Sequence, residues 1–417
     1  MNDKRNAFMR ILFIAGVLAP GLLALWVIGF SQAAQNGVFT VNSTNDADDG
    51  SCDGTHCSLR EAIHAANASA LADTIIFSLA PKSTIILAGQ QLPTIDKPLT
   101  IDGTTALDLA ISGAGDSRVF QIGSGTSVTI TTLTIKGGWS DAGGGIYNEG
   151  GTLHVHNSAF IGNWAGSGGA IANWEGTLNI SDSIFNGNEA LVSGGGVFND
   201  EGMANISGSM FSNNWNSGFG PNPGGGAIAN QDGTLTISNS TVSNNICFHY
   251  RGPCFGGGVA NTGQLNLRNS TFNGNVTISY PAPQGGGIFS GGTLNISNTI
   301  IANSTGGDCV AGSISGNVNN LVKDGSCNPA ISGNPLLGPL QDNGGPTWTH
   351  ALLSISPAVD QGDDAACAAP PVNNLDQRGV VRPLDGDGDG VARCDIGAYE
   401  YDGPPPYRFY LPLVFRG

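Results

Sequence analysis

The chain has 417 residues, 64 of them glycine, with only 12% charged residues, a net charge of −16 and an isoelectric point near 4.5. Glycine is roughly 7% of ordinary globular sequence, so a repetitive architecture is expected, yet the absence of a Gly-X-Y period excludes collagen and the 40% hydrophobic content excludes wholesale disorder. Nucleic acid is excluded as a partner, because phosphate recognition needs clustered Lys and Arg, and between Gly137 and Gly306 there is no lysine and only Arg251 and Arg268.

Residues 1–34 read as an export signal: Lys4, Arg5 and Arg10, an apolar run from Ile11 to Phe30, then Ser31-Gln32-Ala33-Ala34. Cleavage after Ala33 satisfies the small-x-small rule and is the expected outcome. The run is also long enough for an uncleaved anchor, though Gly16, Pro20, Gly21 and Gly29 weaken it as a helix. No second run of that kind follows, so no integral membrane domain is expected after cleavage. The expected location is extracellular, secreted or at the cell surface (cell outer membrane or envelope), and the chain is expected to be monomeric.

Residues 35–70 form an expected N-terminal cap. Ser58 is placed to N-cap a short amphipathic helix reaching Ala70, with Leu59, Ile63 and Ala66 on one side. The stretch from Phe39-Thr40-Val41-Asn42 through Cys57-Ser58-Leu59-Arg60-Glu61-Ala62-Ile63 resembles the CSLREA domain found at the start of many exported bacterial β-helix proteins. A helix here would plug the open first coil of a solenoid.

Residues 71–330 carry the repeat. Gly-Gly pairs open six units at Gly143, Gly168, Gly194, Gly224, Gly256 and Gly285, offset by 25, 26, 30, 32 and 29 residues. Within a unit, Leu153-His154-Val155 and its counterparts Leu178-Asn179-Ile180, Leu235-Thr236-Ile237, Leu265-Asn266-Leu267 and Leu294-Asn295-Ile296 alternate with period two, the mark of a strand with one buried face. Phe160, Phe185, Phe211, Val242, Phe272 and Ile301 recur once per unit and should stack as an apolar column. Two asparagine columns accompany them, Asn148, Asn173, Asn199, Asn230 and Asn261, then Asn163, Asn188, Asn214, Asn245 and Asn275. Side chains that recur once per coil lie about 4.8 Å apart, so the amides can bond up and down a ladder at coil corners. The last unit departs, with Ser290 and Ser304 at the Asn positions. An earlier coil aligns Val128, Ile130 and Ile135 with Leu153, Val155 and Phe160, and Pro93 to Gly103 suggests an older one.

This period builds an all-β, right-handed, single-stranded parallel β-helix with an N-terminal cap and an irregular C-terminal cap. Insertions 213–223, 245–255 and 276–284 all follow the second Asn column, which makes that side the expected binding face. Gly168-Gly169-Ala170-Ile171 with Phe185-Asn186-Gly187-Asn188 and their counterparts resemble the repeats of chlamydial-type polymorphic outer membrane proteins, surface β-helices that act in adhesion. That resemblance implies a role in adhesion for this chain.

Residues 331–401 contain Asn334-Pro335-Leu336-Leu337-Gly338-Pro339-Leu340, Asp376-Gln377-Arg378-Gly379 and Asp395-Ile396-Gly397-Ala398-Tyr399-Glu400, and are similar to the choice-of-anchor Q domain, which precedes surface-attachment tails. Residues 402–417 then form a stiff Pro404-Pro405-Pro406 spacer and an apolar tail too short to span a membrane. Eight cysteines in an exported chain suggest disulfides. In a solenoid distant coils lie far apart, so pairing should be local: Cys52 with Cys57, Cys247 with Cys254, Cys309 with Cys327, Cys367 with Cys394.

Asp385, Asp387 and Asp389, alternating with glycine and followed by Asp395, resemble the opening of a Ca²⁺ loop, against the alternative of a solvated acidic turn. Glu175, Glu201 and Asp232 share one turn position in successive coils, where stacked carboxylates need solvent or a cation. Trp164 and Trp174 sit near corners. Exposed, they would form a sugar-stacking platform; buried, they would fill the solenoid. No catalytic constellation assembles from sequence, because the acids lack a partner cation. The expected function is therefore non-catalytic adhesion or binding of a polysaccharide, matrix or cell-surface ligand through Trp164, Trp174, Glu175, Glu201 and Asp232. The alternative is a polysaccharide lyase or glycoside hydrolase on the same fold, and no cofactor beyond Ca²⁺ is expected.

Overall fold

The computed structural model describes residues 37–218, 224–250, 252–280 and 284–403. The expected signal, residues 1–34, and the tail beyond Gly403 lie outside the described residues. A coil of the repeat has four short strands, exemplified by Ile146–Glu149, Thr152–His156, Ala159–Ile161 and Trp164–Ser167. Each pairs in parallel with its counterpart one coil on. The first two strands of each coil belong to one sheet, the third to a second sheet and the fourth to a third. The result is an all-β right-handed parallel β-helix, the hand that parallel crossovers almost always take.

The interior follows the sequence period. Leu153 pairs with Val128 and Leu178, and Val155 with Ile130 and Ile180, all buried. Ile135 lies beside Phe160, and Ile95 bridges to Ile122, so the two earlier coils stack in register. The rings of Phe160 and Phe185 stack at 4.7 Å, and those of Phe185 and Phe211 at 4.4 Å. Each such burial contributes roughly 1.5–3 kcal/mol through loss of apolar surface from water.

Both asparagine columns are ladders. Asn148, Asn173, Asn199 and Asn230 each donate from Nδ2 to Oδ1 of the next, at 2.6–2.7 Å, and Asn261 closes the run on Ser290 Oγ. A carboxamide carries donor and acceptor on one uncharged group, so it can be stacked without accumulating charge. The first rung shows the rule by its exception: Asn148 faces Ile122 in the preceding coil, and its Oδ1 is left without a donor.

The turns that open the units need left-handed backbone. Gly168 has φ +63°, and a Cβ there would lie 2.3 Å from the Ile171 carbonyl oxygen. In the unit that opens Gly224-Gly225-Gly226-Ala227 that role falls to Gly225, φ +72°, not to Gly224, which bridges to Ser193 and Phe255; counting from Gly225 places the unit 31 residues from both of its neighbours.

At the N-terminal end the helix runs Leu59–Ala68, with Ser58 and Glu61 exchanging reciprocal capping bonds. It buries Leu59, Ala62, Ile63 and Ala66 against the first coil, and so closes it. At the other end, residues 331–401 do more than cap. They fold back along the outer face of the third strands, where Ile300, Ala302 and Leu321 pack with Leu352, Ala358, Val359 and Ile396. All four disulfides form between the expected neighbours.

Candidate functional site

Along each first strand, residues alternate inward and outward. Ile171, Val197 and Ile228 point in, while Ala172, Phe198 and Ala229 point out in register. The outward column reads Tyr147, Ala172, Phe198, Ala229, Ala260, Phe289 along the solenoid axis, so aromatic rings are separated by alanines. Small residues between large ones leave a trough. One wall is the chain entering each first strand, where Ser193, Gly224 and Phe255 bridge from coil to coil; the other holds Gln231, Asp232 and Thr262. Together they enclose a hollow of about 370 Å³ from Phe198 to Phe289, where Phe255 packs against Phe289 at 4.5 Å.

The second outward column, two residues on, reads Glu149, Trp174, Asp200, Gln231. Beside it run Glu175, Glu201 and Asp232, each in left-handed backbone with φ between 51° and 53°. Asp200 is only 4% exposed, and its Oδ1 has no hydrogen-bond donor. Burial, reinforced by the charges of Glu201, Asp232 and Glu175, pushes its carboxyl above the usual carboxylate range.

Toward the N-terminal end of this face stands a cation. Arg118 lies over the Tyr147 ring at 5.0 Å and donates to the carbonyl of Ala142 at 2.9 Å and to Ser140 Oγ at 2.8 Å. Burial lowers its pKa, opposed by the field of Tyr147, Asp141 and Glu149. Burial also raises that of Tyr147, assisted by Glu149.

Of the sequence-derived residues, Trp174, Glu175, Glu201 and Asp232 do line one side of this face. Trp174 is 46% exposed and donates from Nε1 to Glu175 Oε1 at 3.2 Å. Trp164 is elsewhere: it stacks on Trp139 at 5.7 Å on the outer face of the fourth strands. The insertions expected to form the binding face supply a wall of the groove through Phe255. Sequence reasoning passed over Arg118, Tyr147, Phe198, Asp200 and Phe289. Phe198-Asn199-Asp200 is a period-two pattern with outward members at its ends, and that signal was available. Arg118 lies before Gly137, outside the lysine-free stretch.

Two further groups of side chains bring three ligand atoms within 4.8 Å of one another: Asp49, His56 and Glu61 in the N-terminal cap, and Asp360, Asp385 and Asp387 in the C-terminal region. The second includes two of the expected calcium residues but not Asp389 or Asp395. Asp389 Oδ1 accepts from Val391 N at 2.7 Å, and Asp395 is buried, accepting from Asp360 N at 2.7 Å. Asp360 takes their place; its Oδ2 accepts from Asp387 N at 2.7 Å, and burial raises its pKa.

No family model matches the chain, and no curated protein matches it. Among solved structures it is similar to the crystal structure of pectate lyase Pel9A, at 13% identity and a TM-score of 0.45, over 88% of this chain and 97% of that one. Among the described residues no helix is long and apolar enough to cross a membrane.

Proposed function

We propose that this chain is an exported surface or secreted protein that binds a linear polysaccharide, free or as part of a matrix or cell surface, in the groove along its first strands, without cleaving it. The observation that carries this reading is the outward column in which Tyr147, Phe198 and Phe289 alternate with Ala172, Ala229 and Ala260. A sugar ring presents C–H faces that stack on aromatic rings and a rim of hydroxyls that need polar partners, and a concave trough with both is the ordinary form of such a site. A trough that runs parallel to the axis suits an extended chain, whose successive residues meet successive coils. Four disulfides support folding in an oxidising compartment. In this reading the CSLREA-like, polymorphic-repeat-like and choice-of-anchor-Q-like regions serve as cap, binding shaft and attachment region. A calcium ion at Asp360, Asp385 and Asp387 steadies the last of these, and the protein acts as a monomer.

The test is to titrate the purified chain with a panel of soluble polysaccharides and to repeat it with Phe289→Ala. Binding that weakens about tenfold in the variant supports the groove; a panel with no binder, or a variant that binds unchanged, contradicts it.

A second reading, a glycoside hydrolase, is favoured by Asp200. A buried carboxyl whose proton affinity is raised by burial and by neighbouring carboxylates is the kind of group that donates a proton to a departing glycosidic oxygen. Release of reducing ends from any panel member, lost in Asp200→Asn, would establish it over the first.

A further inference from the structure

Resting on the groove reading above, we infer that the groove selects a glycan bearing protonated amino groups, and that Asp200 receives one of them. The argument begins with an orphan. Asp200 is 4% exposed and its Oδ1 meets no donor, whereas the buried amides of the ladders beneath are paired rung to rung. A buried acceptor without a partner is costly, and a carboxylate more so. Its side chain leaves the strand on the same side as Phe198, so it faces the groove side of the strand and not the core.

The neighbours define what would satisfy it. Glu175, Glu201 and Asp232 surround Asp200 with like charge, and among the described residues no lysine or arginine contributes to its environment. Among the described residues the cation on this face is Arg118, which lies two coils away beside Tyr147 and is held by carbonyl oxygens. A glycan of uronic acids would bring further negative charge into this field. A metal ion is a poor fit: among the described residues the two groups that can converge on one ion include none of these four acids. An ammonium carried on a sugar ring fits better. It supplies three donors and a positive charge at one point, while the ring that carries it stacks on Phe198 or Trp174. Acids recur once per coil at Glu175, Glu201 and Asp232, one residue on from the column that holds Asp200, as amino groups repeat along a polymer.

The experiment is calorimetric titration of the full chain with three hexasaccharides: glucosamine, its fully N-acetylated form, and galacturonate. The expected order is glucosamine about tenfold tighter than the N-acetyl form, with galacturonate weakest. Asp200→Asn, which keeps the shape and removes the charge, should bring the first two within twofold of each other. Asp342→Asn, an exposed acid of the C-terminal region, should leave the tenfold ratio intact, which separates the site from attraction by net charge. Affinity for the amino form should fall in acid, as Asp200 takes up a proton, and again in alkali, as the amine loses its own. Equal affinity for amino and N-acetyl forms, tighter galacturonate, or equal losses in both variants would overturn the inference and leave the groove standing. Binding of none of the three, with binding of other glycans abolished by Phe289→Ala, would do the same. Binding that is indifferent to Phe289→Ala removes the groove itself.

Discussion

The first-strand and third-strand faces are built from the same coils, yet among the described residues the chain covers the third-strand face and leaves the first-strand face open. On the third-strand face the outward hydroxyls are buried and taken: Thr241 Oγ1 donates to Gln377 Oε1 at 2.6 Å, Ser243 meets His350 at 3.0 Å, and Thr271 Oγ1 accepts from Ala398 N at 3.0 Å. On the first-strand face the floor is apolar and Asp200 has no donor. These hydroxyls are paired to the chain that covers them, although Asn239 Oδ1 and Asn269 Oδ1 in the same contact also lack donors. What sets Asp200 apart is that its unpaired acceptor lies beside the exposed ring of Trp174, where none of the described chain is packed over the face.

The largest blow to either face comes from beneath both. Phe185→Ala opens a cavity between two stacked rings and should cost about 3–5 kcal/mol in denaturant unfolding, with ligand affinity and C-terminal docking disturbed together. If only one face responds, the shared core is not what supports them. The covered face should also respond to pH. Asp395 is pushed up to about 8, chiefly by burial and then by Glu400, whose own pKa burial also raises. Its folded pKa lies above its unfolded value of about 3.9, so the folded state holds the proton more tightly. The resulting stabilisation is full below about pH 4, declines as pH rises and is gone above about 8, the reverse of a salt-bridged carboxylate. Unfolding midpoints measured across that range should fall with pH in the wild type and flatten in Asp395→Asn, while ligand affinity at fixed pH stays unchanged.

A smaller and more local effect is expected from Gln377→Ala. It strands Thr241 and removes the donor to Thr347 Oγ1 and the Trp348 carbonyl, so unfolding should be easier by about 1–3 kcal/mol without loss of ligand binding. The smallest concerns calcium. At tenfold excess over a weak extracellular-type site the gain is about 1.4 kcal/mol, read as a higher unfolding midpoint in millimolar Ca²⁺ than in chelator. The difference should vanish in Asp387→Ala, and an unmoved wild-type midpoint would mean an ordinary acidic turn.

The solenoid was legible because its determinants repeat. Leu178 and Ile180, Phe185, Asn173 and Asn188 each recur at one phase, and stacking forces identical positions together. Ser58 and the helix after it were legible from local capping chemistry. The groove was not, because its floor breaks the repeat: Phe198 and Phe289 stand where other coils carry alanine, and Asp200 where others carry Trp174 or Gln231. A search for conserved columns averages such residues away. Asp360 was hidden for another reason, since it lies 25 residues before Asp385 and no local spacing connects them. Trp164 and Trp174 are ten residues apart in sequence, but the Gly-Gly turn between them sends them to different faces.

The central claim, that the open first-strand face is the binding surface, is tested most directly by amide hydrogen exchange with and without a bound glycan from the panel. The account expects added protection in the first strands Ile171–Trp174, Val197–Asp200, Ile228–Gln231 and Val259–Asn261 and in the turns carrying Glu201 and Asp232, with none over the fourth strands. Protection confined to Trp139–Ala142, Trp164–Ser167 and Trp215–Asn216, where Trp139, Trp164 and Trp215 lie, would move the ligand to the other face and contradict it.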